Sequence, residues 1–239
     1  MGTAESGYQE RPSRLLAATV WRLSPGTDDE DSEFRILPDG CMDVIHQRGG
    51  ELLVAGPDTV AKLGKSPAGL SYTGIRFDPG TAPGLLGVPA DELRDQRVPL
   101  AALWPSARVR RLTELLDEAA DPARALEAAF GRAASERNDK PGEIWVPAVV
   151  ERLRAQRPVA EIAADVGISE RQLHRRGLGL FGYGLKTLAR ILRVNAALDL
   201  ARGGMPFGLV AATSGYADQA HLSREVKALA GAPLREVIG

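Results

Sequence analysis

The sequence of 239 residues contains a single cysteine, Cys41, and only 5% aromatic residues. One cysteine excludes a disulfide within the chain and any cysteine-rich zinc site. No uninterrupted apolar run approaches the ~20 residues that a helix needs to cross a bilayer. The segment Met1–Pro12 is polar and does not resemble a signal peptide. We therefore expect a cytoplasmic protein that does not enter a membrane.

The motifs of common enzyme classes are also missing. The sequence has no glycine-rich nucleotide loop, no nucleophile elbow and no zinc-ligand spacing. His46 has no second ligand near it, which argues against a metal site. Asp39 and Asp43 are close in sequence, but no acid or base partner accompanies them. We therefore expect no enzymatic activity, no cofactor and no metal.

Charge is distributed unevenly along the chain. The net charge is −1 overall, but residues 145–239 hold 13 Lys+Arg and 8 Asp+Glu, a net of +5. The residues before them therefore carry a net of −6. Such an asymmetry indicates nucleic-acid or membrane contact at the basic end, although it is weak without a motif.

The first 80 residues alternate like β-strands between turn signals such as Asp39-Gly40 and Asp78-Pro79-Gly80. The predicted strands are 15–23, 34–38, 41–46, 52–55 and 72–77. The chain then becomes helical. We predict an α+β protein of two domains, in which the first is a small β-barrel or sandwich with helices and the second is all-α.

A polar segment, 135–143 (SERNDKPGE), contains a Pro-Gly pair and is the predicted linker. It separates a first domain, 1–134, from a second, 144–239. The amphipathic helices predicted at 109–119 and 122–134 must pack on the strands or on a second subunit. Residues 109–134 are therefore also the expected dimerisation or interdomain surface.

Two segments of the second domain, 159–176 and 209–226, repeat one design. A short helix meets a glycine, then a small polar cap, then a helix with one buried leucine. Gly167 and Gly215 suit a turn with positive φ, and Leu173 and Leu222 anchor the second helices. Ala163 and Ala212 are expected to let the paired helices approach closely. The repeat predicts two helix-turn-helix units rather than a plain helical bundle with polar faces.

A long helix predicted at 185–202 joins the two units. Its length of about 27 Å is comparable to the ~34 Å between successive major-groove faces of DNA. The residues beside the two leucine anchors offer donors for base edges and phosphates of double-stranded DNA. The predicted DNA-binding residues are Ser169, Arg171, Gln172, His174, Arg175 and Arg176 in the first unit, and Gln219, His221, Ser223 and Arg224 in the second.

These residues resemble the DNA-binding domain of the AraC/XylS family of bacterial transcription regulators. The resemblance implies recognition helices that begin at Ser169 and Asp218, a sequence-specific regulator, and RNA polymerase as a further partner. The matching residues are Ile162, Ala163, Gly167, Ser169, Leu173, Arg175, Gly182-Tyr183-Gly184, Leu188-Ala189-Arg190, Arg193, Ala197, Gly215-Tyr216-Ala217-Asp218-Gln219, His221-Leu222-Ser223-Arg224, Lys227 and Gly231-Ala232-Pro233.

Two positions depart from the family pattern. Gly177 stands where relatives usually carry a large apolar residue, and Leu185 replaces a common proline. We expect both to loosen the first unit, because glycine leaves a core contact unfilled and costs about 1 kcal/mol of helix stability relative to alanine. The first unit is then expected to act mainly through arginine contacts, and the second mainly by fixing register.

Residues 37–45 and 74–80 resemble the small β-rich sensory domain that precedes some of these regulators, which implies a cupin-like barrel that binds an effector or dimerises. The candidate effector-binding residues are Trp21, Cys41, Tyr72, Arg76 and Trp104. Core packing of the aromatic side chains and of the cysteine, and a salt bridge for Arg76, are the alternatives. The competing function is an enzyme or small-molecule-binding protein based on the barrel, with a helical domain that is only structural.

Overall fold

A computed structural model describes residues 7–24, 32–66, 70–136 and 145–239. The strands are β1 (Gly7–Pro12), β2 (Ala18–Ser24), β3 (Ser32–Ile36), β4 (Met42–Gln47), β5 (Leu52–Ala55), β6 (Lys62–Ser66), β7 (Tyr72–Phe77) and β8 (Arg97–Pro99). The helices are α1 (Ala82–Leu86), α2 (Ser106–Glu118), α3 (Pro122–Glu136), α4 (Val146–Arg154), α5 (Val159–Asp165), α6 (Glu170–Phe181), α7 (Leu185–Arg202), α8 (Phe207–Thr213), α9 (Gln219–Ala230) and α10 (Leu234–Ile238), with short 3₁₀ helices at Ala90–Leu93 and Leu100–Ala102.

The N-terminal domain is built on an antiparallel sheet with the strand order β1-β2-β7-β4-β5-β8, beside a separate β3–β6 ribbon. The β-rich prediction is confirmed. The prediction of a closed barrel is not confirmed, because the described strands form an open sheet with β1 and β8 at its edges. Successive side chains of a strand point to opposite faces of the sheet. Val20, Val44 and Ile75 are buried on one face, and Trp21 and Arg76 point to the other face.

Helices α2 and α3 cover the buried face of the sheet. The Phe130 ring of α3 lies 5.3 Å from the Phe77 ring of β7 and 5.2 Å from the Trp104 ring, between centroids. The two amphipathic helices predicted from the sequence therefore pack on the strands of their own domain. On α2, the large apolar side chain of Leu115 remains exposed.

A single buried carboxylate fastens α3 to the turn between β1 and β2. Glu127 accepts hydrogen bonds from Arg11 Nη2 at 2.7 Å, Ser13 Oγ at 2.7 Å and the Arg14 backbone N at 2.6 Å. These donors hold the pKa of Glu127 at about 2, the hydrogen bond from Arg11 being the largest cause. The turn and the helix are thus joined by a charged, fully partnered contact.

The C-terminal domain has its own hydrophobic core, formed by α4 to α10 around α7. Leu188, Ile191 and Leu198 of α7 are completely buried in it. Of the predicted linker, Ser135 and Glu136 belong to α3, and 137–143 lie outside the described residues. Within the part of the chain that the structure describes, no helix is long and apolar enough to cross a membrane.

Candidate nucleic-acid interface

The first helix-turn-helix unit consists of α5 and α6. Gly167 has φ +69° in the turn, a left-handed conformation that glycine adopts without strain. Ser169 caps α6: its side chain accepts from the Gln172 backbone N at 3.3 Å, and the Gln172 side chain accepts from the Ser169 backbone N at 3.0 Å. This reciprocal capping box fixes where the recognition helix begins.

The second unit, α8 and α9, repeats this geometry. Gly215 also has φ +69°, and Asp218 caps α9 by accepting from the His221 backbone N at 2.6 Å. An acidic cap is favourable at the positive end of the helix dipole. The recognition helices therefore begin where the family resemblance places them, at Ser169 and Asp218.

Matched apolar side chains hold each pair of helices together. Leu173 and Leu222 are completely buried, as predicted for the anchors of the recognition helices. In the preceding helices, Ala163 is buried, whereas Ala212 is exposed and Ala211 is buried in its place. The assignment of Ala212 to the helix contact was therefore wrong by one residue, because the turn of the second unit is one residue longer.

The two turn glycines have the same φ, and this leads to a prediction. We expect Gly167→Ala to cost about 1–2 kcal/mol of unfolding free energy, because an L-residue is strained at that φ and nothing else lies within 4 Å. Gly215→Ala should cost a similar amount, because the atom that its Cβ would meet at 2.4 Å is Oε1 of Gln156, the free end of an exposed side chain that can turn away. Urea denaturation measures both. The cost of Gly215→Ala should stay the same in a Gln156→Ala background, and a lower cost there would show that the Gln156 side chain cannot turn away.

Most predicted DNA-binding side chains are exposed along the two recognition helices. Four of these side chains are less free to reach DNA. The side chains of Ser169 and Gln172 form the capping box, and those of His221 and Ser223 are half-buried. The exposed residues are Ser169, Arg171, Gln172, His174, Arg175, Arg176, Gln219 and Arg224. The structure thus places donors for bases and phosphates on both helices.

A stack of side chains supports α9 from behind. The Arg193 guanidinium of α7 lies 4.5 Å from the centre of the Tyr216 ring, and the His221 ring packs edge-on against the same tyrosine at 5.3 Å. Arg190 Nε also pairs with Glu225 Oε2 at 2.7 Å. The sequence predicts no functional role for these supporting side chains, although Arg190, Arg193 and Tyr216 are among the residues that carry the family resemblance.

The first unit has a different support. Gly177 is buried, and a Cβ built on it would lie 2.4 Å from Leu185 Cδ1. Leu185 therefore already fills the space that a large residue at position 177 would occupy. The expectation that Gly177 leaves a core contact unfilled was wrong, because the two departures from the family pattern compensate one another.

A cleft of about 840 Å³ separates α1 and its flanking turns from α4 and α6. Its walls are largely apolar, with Leu85, Val88 and Val150 among them, and Arg175 and Arg176 of the first recognition helix also line it. A predicted DNA-binding surface and a space large enough for a small molecule are therefore adjacent.

Three candidate effector residues lie together on the face of the sheet that points away from α2 and α3. Trp21 Nε1 donates to Asp43 Oδ1 at 2.7 Å, and Arg76 Nε lies 3.6 Å from the same oxygen. The Cys41 backbone N donates to Asp39 Oδ1 at 2.8 Å, and Asp39 also neighbours Arg76. Burial raises the pKa of Asp43 to about 6 and raises the pKa of the Cys41 thiol.

The other two candidates are placed differently. Tyr72 lies on the same face of β7 as Arg76 but at the far end of the strand. Trp104 is on the opposite side of the sheet, in the core, with the Arg108 guanidinium 3.9 Å above its ring. Among the described residues, no group of three His, Cys, Asp or Glu side chains is arranged to hold a metal ion.

Two protein families match separate parts of the chain. A family described as a helix-turn-helix domain matches residues 162–238, and a family described as a domain of unknown function (DUF6597) matches residues 9–99, the part that contains the β-sheet. The first match confirms the resemblance found in the sequence. Residues 162–238 form a helix-turn-helix domain of the AraC type, which is a DNA-binding domain.

Solved structures of ToxT from Vibrio cholerae are similar along the whole chain. The 1.65 Å structure has a TM-score of 0.45 and 12% identity over 97% of this chain and 98% of that chain. The ToxT structure with bound unsaturated fatty acid has a TM-score of 0.44 and 11% identity, and the match covers 100% of this chain and 97% of that chain. No curated protein matches the sequence.

Proposed function

Because residues 162–238 form an AraC-type helix-turn-helix domain, we propose that this protein is a sequence-specific, effector-responsive transcription regulator. Residues 144–239 bind double-stranded promoter DNA in the cytoplasm. Residues 1–136, through the end of α3, form the sensory domain, and the remainder of the predicted linker, 137–143, joins the two domains. RNA polymerase and a second copy of the chain are its further expected partners.

The observation that carries this proposal is the pair of capped recognition helices with exposed donors beside their buried anchors. Arg175 follows the Leu173 anchor by two residues, and Arg224 follows Leu222 by the same interval. A helix placed this way presents the following residues to a major groove, where arginine bonds to guanine edges and to phosphates. The net charge of +5 on residues 145–239 supplies the salt-dependent part of the affinity.

A gel shift or footprint on the DNA upstream of the protein's own gene tests the proposal. We expect Arg175→Ala and Arg224→Ala each to weaken specific binding by about 1–3 kcal/mol for a base contact, and to reduce the salt slope by about 1 for a phosphate contact. Arg48→Ala, an exposed arginine in the turn between β4 and β5, is the control and should change neither.

The two arginines are expected to differ. Arg175 should affect mainly affinity, and Arg224 should affect mainly the sequences and register accepted. Equal losses of affinity and specificity would contradict this division. Absence of a specific band, or salt-independent binding that neither substitution changes, would contradict the function itself.

Effector responsiveness is supported by the cleft beside α6, because a molecule bound there would lie against Arg175 and Arg176. A thermal-shift screen of small metabolites tests this. Compounds that raise the melting temperature of the wild type should fail with Val88→Trp, which places an indole in the cleft. A compound that stabilises both proteins equally binds elsewhere, and the Trp21–Asp43–Arg76 group is then the next candidate.

A further inference from the structure

The second recognition helix is held at its C-terminal end by the N-terminal domain. The last carbonyls of a helix have no partner within it and need donors from elsewhere. In α9, Leu229 O accepts from the Ala61 backbone N at 2.8 Å, and Ala230 O accepts from Arg35 Nη1 at 2.7 Å. Arg35 Nη2 also pairs with Glu236 Oε1 of α10 at 3.2 Å. Arg35 thus bridges the end of α9 and the start of α10.

Both donors come from one small element. Arg35 lies in β3, and Ala61 immediately precedes β6, the strand with which β3 pairs. The β3–β6 ribbon lies outside the six-stranded sheet and is therefore not needed to complete it. Its position against α9 joins the N-terminal domain to the second unit.

The first recognition helix is held at the same end by a different part of the same domain. Gly182 ends α6 with φ +80°, and its carbonyl accepts from Arg94 Nη1 at 3.3 Å. A Cβ at Gly182 would lie 2.4 Å from Pro57 Cγ and 3.2 Å from Ala90 O. The C-terminal end of α6 is therefore seated directly on the 3₁₀ helix Ala90–Leu93 and the segment at Pro57.

The spacer between the units is attached as well. Asn195 Nδ2 of α7 donates to Pro38 O at 2.7 Å, and Gly40 packs so closely that a Cβ there would lie 2.7 Å from Leu188 Cδ1. One domain thus touches the end of α6, the middle of α7 and the end of α9. The relative placement of the two recognition helices is consequently fixed by more than α7 alone.

We propose that Arg35 and Arg94 are positioning residues for DNA recognition: through them the N-terminal domain sets the separation and rotation of the two recognition helices, and hence the half-site spacing that the protein accepts. This inference rests on the proposed function. It assigns to the β3–β6 ribbon a role in specificity without any contact with DNA. We call the stretch of DNA that each recognition helix reads a half-site. Because DNA is helical, a change in the number of base pairs between the half-sites rotates the major groove of one half-site away from its recognition helix.

The test uses the full-length protein, the single variants Arg35→Ala and Arg94→Ala, and the double variant. Arg22→Ala is the matched control, because Arg22 is a half-exposed arginine that pairs with Asp121 within the N-terminal domain. Binding is measured to the footprinted site and to versions with two base pairs inserted between the half-sites. Wild type and control should lose about tenfold or more in affinity on insertion. The loss in the double variant should be smaller by about threefold or more, since α7 and the Asn195–Pro38 contact still restrain the two helices.

Hydrogen exchange supplies a readout without DNA. The Ala61 amide donates to Leu229 O, so its exchange should accelerate by about tenfold or more in Arg35→Ala and stay unchanged in Arg22→Ala. If the wild type binds no upstream DNA, the proposed function fails and this role fails with it. If DNA binds, but the double variant still rejects the altered spacing as strongly as the wild type, the positioning role alone is overturned. Unchanged Ala61 exchange in Arg35→Ala also overturns it.

Discussion

Glu127→Gln should lower the free energy of unfolding by about 3 kcal/mol at neutral pH, because it removes the charge that three donors share. Glu127 is only 4% exposed, and it accepts from Arg11, Ser13 and the Arg14 backbone. An amide at this position offers one acceptor oxygen where the carboxylate has two, and its NH₂ group would face a donor. Urea denaturation of the two proteins measures the difference.

The size of this effect should depend on pH in a defined direction. The folded pKa of Glu127 is about 2, below its ordinary value of 4.5. A lowered pKa gives stability that is complete above the unfolded value and is lost as pH falls through the folded value. The difference between the ordinary pKa of 4.5 and the folded pKa of about 2 corresponds to about 3 kcal/mol of stability. The gap between wild type and Glu127→Gln should therefore be constant above about pH 5.5 and narrow steadily from pH 4.5 towards pH 2.

Glu114→Gln is the control for this measurement, since Glu114 is an exposed residue of the neighbouring helix α2. It should change the free energy of unfolding by less than about 0.5 kcal/mol. A gap between wild type and Glu127→Gln that stays the same from pH 7 to pH 2 would show that Glu127 contributes by packing and not by its charge.

The strands that could be predicted from the sequence are those with a buried face. β5 and β7 have the predicted bounds, because alternation and glycine-rich or proline-rich turns mark them. β1, β6 and β8 were missed. β1 is a polar edge strand, β6 contains two lysines and a glycine, and β8 has only three residues. β1 pairs with the next strand, β2, but its polar residues show no buried face. β6 and β8 pair with β3 and β5, which are far along the chain, and local periodicity does not encode such pairing.

The DNA-binding helices could be predicted almost completely, because caps, turn glycines and buried leucines are local signals. The attachments between the two domains could not. Arg35, Arg94 and Asn195 are ordinary polar residues in the sequence, and only the fold brings them to carbonyl groups of distant segments. The pairing of Trp21 with Asp43 was missed for the same reason, since 22 residues separate them.

Leu185→Ala should also have a large effect, a loss of about 2–5 kcal/mol in the free energy of unfolding. Leu185 is 2% exposed and occupies the space above Gly177 in the core of the first unit. Removing the Leu185 side chain opens a cavity beside α6. Residue 177 of that helix is glycine, so it has no side chain that could fill the cavity. The loss should appear in urea denaturation and, as weaker DNA binding, in the gel shift.

The contact with Gly177 can be isolated by a double-mutant cycle. In the wild-type background, Gly177→Ala places a Cβ 2.4 Å from Leu185 Cδ1, and this overpacking should outweigh the gain of about 1 kcal/mol in helix propensity. In the Leu185→Ala background the same substitution meets open space and should stabilise the protein by about 1 kcal/mol. The sign of its effect should therefore reverse between backgrounds, with a coupling of about 2 kcal/mol.

Gly179→Ala is the matched control within the same helix. Its Cβ would meet only Pro89 Cβ at 3.9 Å, an ordinary packing distance, so it should stabilise α6 by a similar amount in both backgrounds. If Gly177→Ala instead has the same effect with and without Leu185, the two residues do not compensate one another. A reversed sign would explain why the first unit keeps a closed core with glycine at position 177: Leu185 of α7 supplies the volume.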